Sequence, residues 1–133
     1  MNTYMEEAKK EAYAGIKAHE GGPFGAVIVK NHKIVGRGHN RVLLRKDPTC
    51  HGEMEAIRDA CKNLGTIDLS GCELYTTAEP CSMCAGAIYW ANIGHVVYAM
   101  TEKDLLRLTG GDPQNPTFDL PCREVFAHGQ KPI

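Results

Sequence analysis

The sequence has no long apolar run, no surplus of either charge and no internal repeat. Its 133 residues carry 15 Lys and Arg against 16 Asp and Glu, a formal net charge of −1. No segment approaches the ~20 apolar residues that span a bilayer, and the N-terminus lacks the apolar stretch of a signal peptide. These absences argue against a membrane protein, against a repeat protein and against indiscriminate nucleic-acid binding, which needs many phosphate contacts. The cytoplasm is the default location.

The pattern of apolar residues predicts a single α/β domain over residues 1–133. Helical spacing predicts helices over 2–19, 51–64, 80–91 and 102–108, with Pro80 in the first turn of the third. β-rich runs predict strands over 25–30, 33–38, 73–77 and 95–99, the first two forming a hairpin. Residues 40–49 are predicted to be a loop, and those after 110 mostly irregular. Alternating strands and helices favour three α/β/α layers around a mixed sheet.

One pair among the six cysteines has the spacing of a metal site. Cys81 and Cys84 stand three apart at a predicted helix start, so both thiols face one side and reach one ion at roughly 2.3 Å. The helix dipole favours the thiolates that a metal requires. His51 opens another predicted helix, whose N-terminus we expect at the same sheet edge. Three ligands indicate a catalytic zinc, which keeps a position for water; a structural zinc completed by Cys50 or Cys72 is the alternative.

The carboxylate of Glu53 follows His51 by two residues, a spacing that points it away from the histidine direction. We therefore expect Glu53 to lean over the water position rather than to bind the ion. There it is able to take the water proton and deliver it to a ring nitrogen and then to a departing amine. The alternative is an ordinary first-turn acid that favours the helix dipole.

Two segments together carry a resemblance to a known family. His51-x-Glu53 followed by Pro80-Cys-x-x-Cys84 is the signature of zinc-dependent base deaminases. The sequence resembles the cytidine deaminase-like superfamily over nearly its whole length. Its nearest likeness is to bacterial guanine deaminases, through residues 21–29, 47–49, 56–58 and 79–90. The resemblance implies the three-layer fold of that superfamily, Zn²⁺ held by His51, Cys81 and Cys84, and Glu53 as the catalytic proton carrier.

The same resemblance implies substrate-binding residues and a homodimer, which is domain-swapped in such enzymes. The implied substrate residues are Asn40, which hydrogen-bonds the base near its carbonyl, Phe24, which stacks on the ring, Trp90 in the pocket wall and Asp112. From the residues alone, Asn40 and Asp112 also suit turns, and Phe24 and Trp90 also suit a core.

Four functions follow as hypotheses. Deamination of a small-molecule base, most of all guanine, comes first, with no membrane and no nucleic-acid partner expected. Cytosine deamination is the close rival, because Gly52 and the residues around Asn40 match fungal-type cytosine deaminases. Adenosine deamination in tRNA needs a basic surface around the pocket. A zinc-stabilised interaction domain predicts a closed four-ligand site.

Overall fold

The computed structural model describes residues 3–110, 113 and 116–133. This part of the chain holds six helices and four strands in the order α1 (Thr3–Lys17), β1 (Gly25–Lys30), β2 (Lys33–His39), α2 (Val42–Arg45), α3 (Gly52–Leu64), β3 (Cys72–Ala78), α4 (Ser82–Trp90), β4 (His95–Met100), α5 (Glu102–Thr109) and α6 (Cys122–Ala127). No helix within the described ranges is both long enough and apolar enough to cross a membrane.

The four strands form one mixed sheet in the order β2-β1-β3-β4. β1 pairs antiparallel with β2 and with β3, and β3 pairs parallel with β4. Asn31 and His32 both have positive φ angles, 51° and 64°, as a two-residue hairpin turn between right-twisted strands requires. The parallel pair is joined by α4, which makes β3-α4-β4 a crossover unit.

Both faces of the sheet are covered by helices. On one face, Met5 and Ala8 of α1 pack against Val27, Val29 and Tyr75. The other face carries Ala26, Ile28 and Leu74, which pack against buried side chains of α3, α4 and α6: Ala56, Ala60, Ala85, Ile88, Cys122 and Phe126. Successive residues of β1 therefore serve opposite cores, as the two-residue period of a strand dictates. The predicted three-layer fold with a mixed sheet is confirmed.

Helix α3 lies unusually close to β2, and two glycines permit that approach. A β-carbon on Gly36 would lie 2.6 Å from the Ala56 carbonyl oxygen. A β-carbon on Gly38 would lie 2.4 Å from the Ala56 nitrogen and 2.6 Å from the Gly52 oxygen. Ordinary side chains do not fit in such gaps, so the strand sequence sets the distance between the sheet and the helix that follows His51.

Two helix ends differ from the sequence prediction by two residues, and the others agree within one. α1 ends at Lys17 rather than near His19, because His19 takes the left-handed conformation at φ 58° and terminates the helix. α4 begins at Ser82 rather than Pro80, because Cys81 is extended (φ −69°, ψ 174°) and occupies the N-cap.

Two helices were absent from the prediction. α2 is a single turn inside the expected loop, where backbone N–H groups of Leu43 and Leu44 donate to the Glu20 carbonyl. α6 lies in the segment expected to be irregular, and its first N–H, on Cys122, donates to the Glu79 carboxylate at 2.8 Å. Both short helices rely on partners distant in sequence, which local periodicity does not report.

Candidate metal centre

The start of α3 and the start of α4 bring one imidazole and two thiols together. Cys81 Sγ lies 3.6 Å and Cys84 Sγ 3.7 Å from His51 Nδ1. The three ligand atoms all lie within 4.8 Å of one another, and no fourth His, Cys, Asp or Glu of the described residues joins the group. Cys50 is instead buried behind the loop, where Arg58 donates to its sulfur at 3.5 Å.

Two of these three side chains stand at N-cap positions. His51 caps α3 and Cys81 caps α4, both in extended conformation, and neither side chain caps its own helix through a hydrogen bond. An N-cap side chain ordinarily accepts from the first-turn N–H groups. Here both residues turn toward one another instead. The positive ends of two helix dipoles consequently point at the cluster and favour negative charge there.

The donor set and its spacing fit a zinc ion. Tetrahedral coordination with Zn–S near 2.3 Å and Zn–N near 2.0 Å places sulfur and nitrogen about 3.6 Å apart. The two separations to His51 Nδ1, 3.6 and 3.7 Å, match that value. Two thiolates and a neutral imidazole also balance the charge of a dication. His51, Cys81 and Cys84 are therefore the residues that would hold Zn²⁺.

The two thiols of the cluster have pKa values shifted in opposite directions. A hydrogen bond from the Cys84 thiol, with a further one from His51, lowers the pKa of Cys81 to about 4. The pKa of Cys84 is raised, first because its proton is the one shared with Cys81 and then because it is buried. The hydrogen bond to Cys81 raises the pKa of His51. Both thiols would have to lose their protons to serve as ligands of a dication.

Glu53 is the second residue of α3 and lies in the interior, only 6% exposed. Burial raises the pKa of its carboxyl to about 7. A carboxyl group in that range both accepts and releases a proton near neutral pH. Glu53 does not belong to the ligand cluster, and it lines the cavity beside that cluster.

A cavity of about 350 Å³ opens over the cluster. Its lining includes His51, Glu53 and Cys81 from the metal centre and the following further side chains: Phe24, Asn40, Pro48, Ala78, Glu79, Ser82, Met83, Glu102, Leu105, Pro116 and Phe118. The volume falls in the range of small-molecule sites. Its lining combines apolar side chains with several polar ones, as is usual in small-molecule sites.

Two of the four predicted substrate residues line this cavity. Asn40 follows β2, and its Oδ1 accepts from the Val42 N–H at 3.0 Å. This bond orients the amide so that its NH₂ group remains for another acceptor. Phe24 precedes β1, and its carbonyl accepts from the Asn40 N–H at 3.0 Å, which ties the two residues together.

Trp90 requires a correction, because it does not line the cavity of its own chain. Its side chain is 78% exposed at the C-terminal end of α4 and packs edge-on against Tyr89, with ring centroids 5.2 Å apart. Nine residues of α-helix separate it from Cys81, about 13 Å along the axis. Asp112, the fourth predicted residue, lies outside the described residues.

The sequence prediction missed two cavity carboxylates, Glu79 and Glu102. Glu79 directly precedes Pro80 and is buried, and its two oxygens accept from the N–H groups of Glu102 (3.0 Å) and Cys122 (2.8 Å). Glu102 is the first residue of α5, where acidic residues are common for the sake of the helix dipole. Nothing local marked it as a cavity residue.

Arginines in and around the segment that follows β2 form ion pairs with acidic side chains. Glu55 of α3 is 5% exposed and pairs with Arg41 (3.1 Å), Arg45 (3.3 Å) and Arg58 (3.1 Å). Arg37 pairs with Glu7 of α1 at 2.9 Å. The pairs of Arg41 and Arg45 with Glu55 hold the segment between Asn40 and His51 against α3, and the pair of Arg37 with Glu7 joins β2 to α1.

The sequence of the chain agrees with this geometry. Residues 1–100 match the family described as the cytidine and deoxycytidylate deaminase zinc-binding region. The chain belongs to this deaminase family. The prediction of a zinc-binding member of the cytidine deaminase-like superfamily is thereby confirmed.

Individual members of the deaminase family are similar over most of the chain. Guanine deaminase of Bacillus subtilis (strain 168) is 51% identical over 102 residues, which are 77% of this chain and 65% of that protein. The tRNA-specific adenosine deaminase of Aquifex aeolicus (strain VF5) is 43% identical over 100 residues, 75% of this chain and 66% of that protein. The chain thus spans slightly less than two thirds of these curated relatives.

The crystal structure of the Bacillus subtilis guanine deaminase superimposes with a TM-score of 0.78. The superposition covers 96% of this chain and 90% of that structure at 39% sequence identity. The two proteins therefore share their fold over nearly the whole of both chains.

Proposed function

We propose that this protein hydrolytically deaminates a free nucleobase, with guanine as its substrate. The observation that carries the proposal is the placement of Glu53, which is buried and lines the same cavity as His51 and Cys81 of the ligand cluster. Similarity to guanine deaminase at 51% identity supports the choice of base.

Each residue of the site has its own role in the proposed deamination. Zinc at the cluster would supply Lewis acidity, which brings the pKa of water to about 7 in favourable sites. Glu53 takes one proton from the attacking water and passes it to the ring nitrogen beside the reacting carbon. It then takes the remaining proton of the newly added hydroxyl group and passes it to the leaving amine, as the carbon–nitrogen bond breaks. Water thereby replaces the amino group by a carbonyl group, and ammonia leaves. Asn40 and Phe24 hold the ring, through an amide hydrogen bond and a stacking contact.

Ammonia release from purified, zinc-loaded protein tests the proposal. Guanine, cytosine, isocytosine and adenine are each supplied, together with tRNA. We expect ammonia from guanine, and Glu53→Gln reduces its rate by about 10²- to 10⁴-fold while zinc content and melting temperature stay near those of the wild type. Glu124→Gln, an exposed acid on α6, is the matched control and retains the full rate.

Each of the other outcomes would indicate one of the rival functions. Ammonia from cytosine and none from guanine makes this a cytosine deaminase. Inosine in tRNA, with binding that weakens steeply with salt, makes it an adenosine deaminase; the pairing of Arg37, Arg41 and Arg58 with acids opposes that outcome. No turnover of any substrate, with Glu53→Gln silent in every assay, leaves a zinc-stabilised interaction domain.

We also propose that residues 1–133 act as one domain and that two copies associate in the cytoplasm, where thiols stay reduced. All six cysteines are free, which suits that compartment. Support for a homodimer comes from α4, whose outward side presents Trp90 at 78% exposed, one helical turn beyond Gly86 and Ala87. Light scattering should give twice the chain mass of 14.6 kDa, and Trp90→Asp should halve it. A monomeric wild type contradicts the homodimer, and a mass unchanged by Trp90→Asp contradicts this interface.

A further inference from the structure

Glu102 places a carboxylate in the wall of the cavity, outside the cluster and outside the matched region 1–100. It shares the lining with Asn40 and Phe24, which follow β2 and precede β1 at the same edge of the sheet. The cavity lining thus includes an amide, whose NH₂ is available, and three acidic residues, Glu53, Glu79 and Glu102, of which Glu79 already accepts a backbone N–H with each oxygen.

The position of Glu102 is fixed from two directions. Its backbone N–H donates to the buried Glu79 carboxylate at 3.0 Å. Its own Oε1 accepts from the Phe118 N–H at 3.2 Å. Because Glu79 also accepts from Cys122, a buried carboxylate anchors both the helix that carries Glu102 and the helix that follows Phe118. Glu102 is therefore held in place before any substrate arrives.

This carboxylate lacks a cationic partner among residues 3–110, 113 and 116–133. Glu102 forms no ion pair there, whereas Glu55 and Glu20 each pair with arginine. A half-buried carboxylate has about four acceptor positions, and the one hydrogen bond from Phe118 leaves capacity for further N–H donors. A ligand that brings such a donor into the cavity satisfies it.

We propose that Glu102 is a specificity-determining residue that accepts a hydrogen bond from a ring N–H of the base. The inference rests on the proposed function and deepens it. With Asn40 donating to a carbonyl and Glu102 accepting from a ring nitrogen, the pocket selects bases that carry both groups. Guanine has this pair, whereas adenine has no carbonyl and a methylated ring nitrogen has no proton to donate.

Equilibrium binding to zinc-loaded protein tests the inference without turnover, in a Glu53→Gln background. Guanine, 1-methylguanine and 9-methylguanine are titrated by calorimetry, with and without Glu102→Gln. We expect Glu102→Gln to weaken guanine binding by about 10- to 100-fold. Glu102→Gln should leave the affinity unchanged for the methylated base that lacks the recognised N–H, because that base has no hydrogen bond to Glu102 to lose.

Glutamine keeps an oxygen for the Phe118 N–H, so a merely structural Glu102 predicts unchanged binding in Glu102→Gln. Glu102→Asp retains the charge on a shorter side chain and should recover part of the affinity. Glu124→Gln is the control, and the melting temperatures of all variants are compared.

Equal weakening for all three bases, or unchanged guanine binding in Glu102→Gln, overturns the inference. Binding that depends on Glu102 while the Glu53 wild type releases no ammonia overturns the proposed function alone.

Discussion

Substitution of Gly38 by alanine tests whether the distance between β2 and α3 positions the metal centre. The added β-carbon would lie 2.4 Å from the Ala56 nitrogen and 2.6 Å from the Gly52 oxygen, whereas carbon contacts normally exceed 3.4 Å. Both obstacles are backbone atoms, which cannot rotate away. Helix α3 must therefore move outward by about 1 Å, and His51 and Glu53 at its start move with it.

The cost follows from overpacking in a dense interior. Extra methyl groups in well-packed sites destabilise by about 1–3 kcal/mol. At an unfolding entropy of about 2.1 cal/mol/K per residue, a loss of about 2 kcal/mol lowers the melting temperature of a chain of this size by about 7 °C. Because catalytic groups misplaced by about 1 Å lose about 10²-fold in rate, we expect ammonia release from guanine to fall by that factor.

Gly94→Ala is the matched control. A β-carbon there meets nothing within 4 Å and its φ is not positive, so its melting temperature and activity should stay at or above those of the wild type. Calorimetry and ammonia release measure both variants. A Gly38→Ala protein that melts within about 1 °C of the wild type and keeps its rate refutes the link between strand spacing and catalytic geometry.

Two further perturbations address the metal and the charges. With free zinc at about 1,000 times its dissociation constant, zinc binding contributes about 4 kcal/mol to stability, so chelation should lower the melting temperature by about 14 °C. Cys84→Ser should abolish most of that difference. Equal melting curves with and without chelator contradict a zinc site. The hydrogen bond from His39 lowers the pKa of Glu20, so the stability it contributes is present above the usual glutamate pKa and is lost as the pH falls through the lowered value. Denaturant titrations from pH 7 to pH 3 should therefore show a shallower decline for Glu20→Gln, and parallel declines for the two proteins contradict that role.

The elements built on local pattern were predictable from the sequence. β1 begins and ends where its apolar run does, because Ala26 to Val29 are buried on both faces. The α5 helix was predictable for a similar reason, since Thr101 and Asp104 form a reciprocal capping box at its start. The pairing of His51 with Cys81 and Cys84 was also accessible, because ligand chemistry and helix spacing restrict which side chains share an ion.

What the sequence left open depends on long-range contacts. α6 forms where a carboxylate 43 residues earlier accepts its first N–H group. Glu102 faces the cavity for the same reason, since Glu79 fixes its backbone, and an acid at the first helical position is common in any protein. Trp90 shows the opposite case: it stands nine residues after Cys81 on a helix and lies outside the cavity of its own chain.

The buried carboxylate of Glu79 joins two parts of the molecule. It accepts from the N–H groups of Glu102 and Cys122, so one acidic side chain beside Pro80 anchors the starts of both α5 and α6 to the matched region 1–100. Under the proposed function, substitutions of the cavity residues Glu102, Leu105 and Phe118 would change the wall that meets the ring and leave the His51–Cys81–Cys84 cluster unaltered. The same cluster is in this way compatible with a different ring whenever that wall changes.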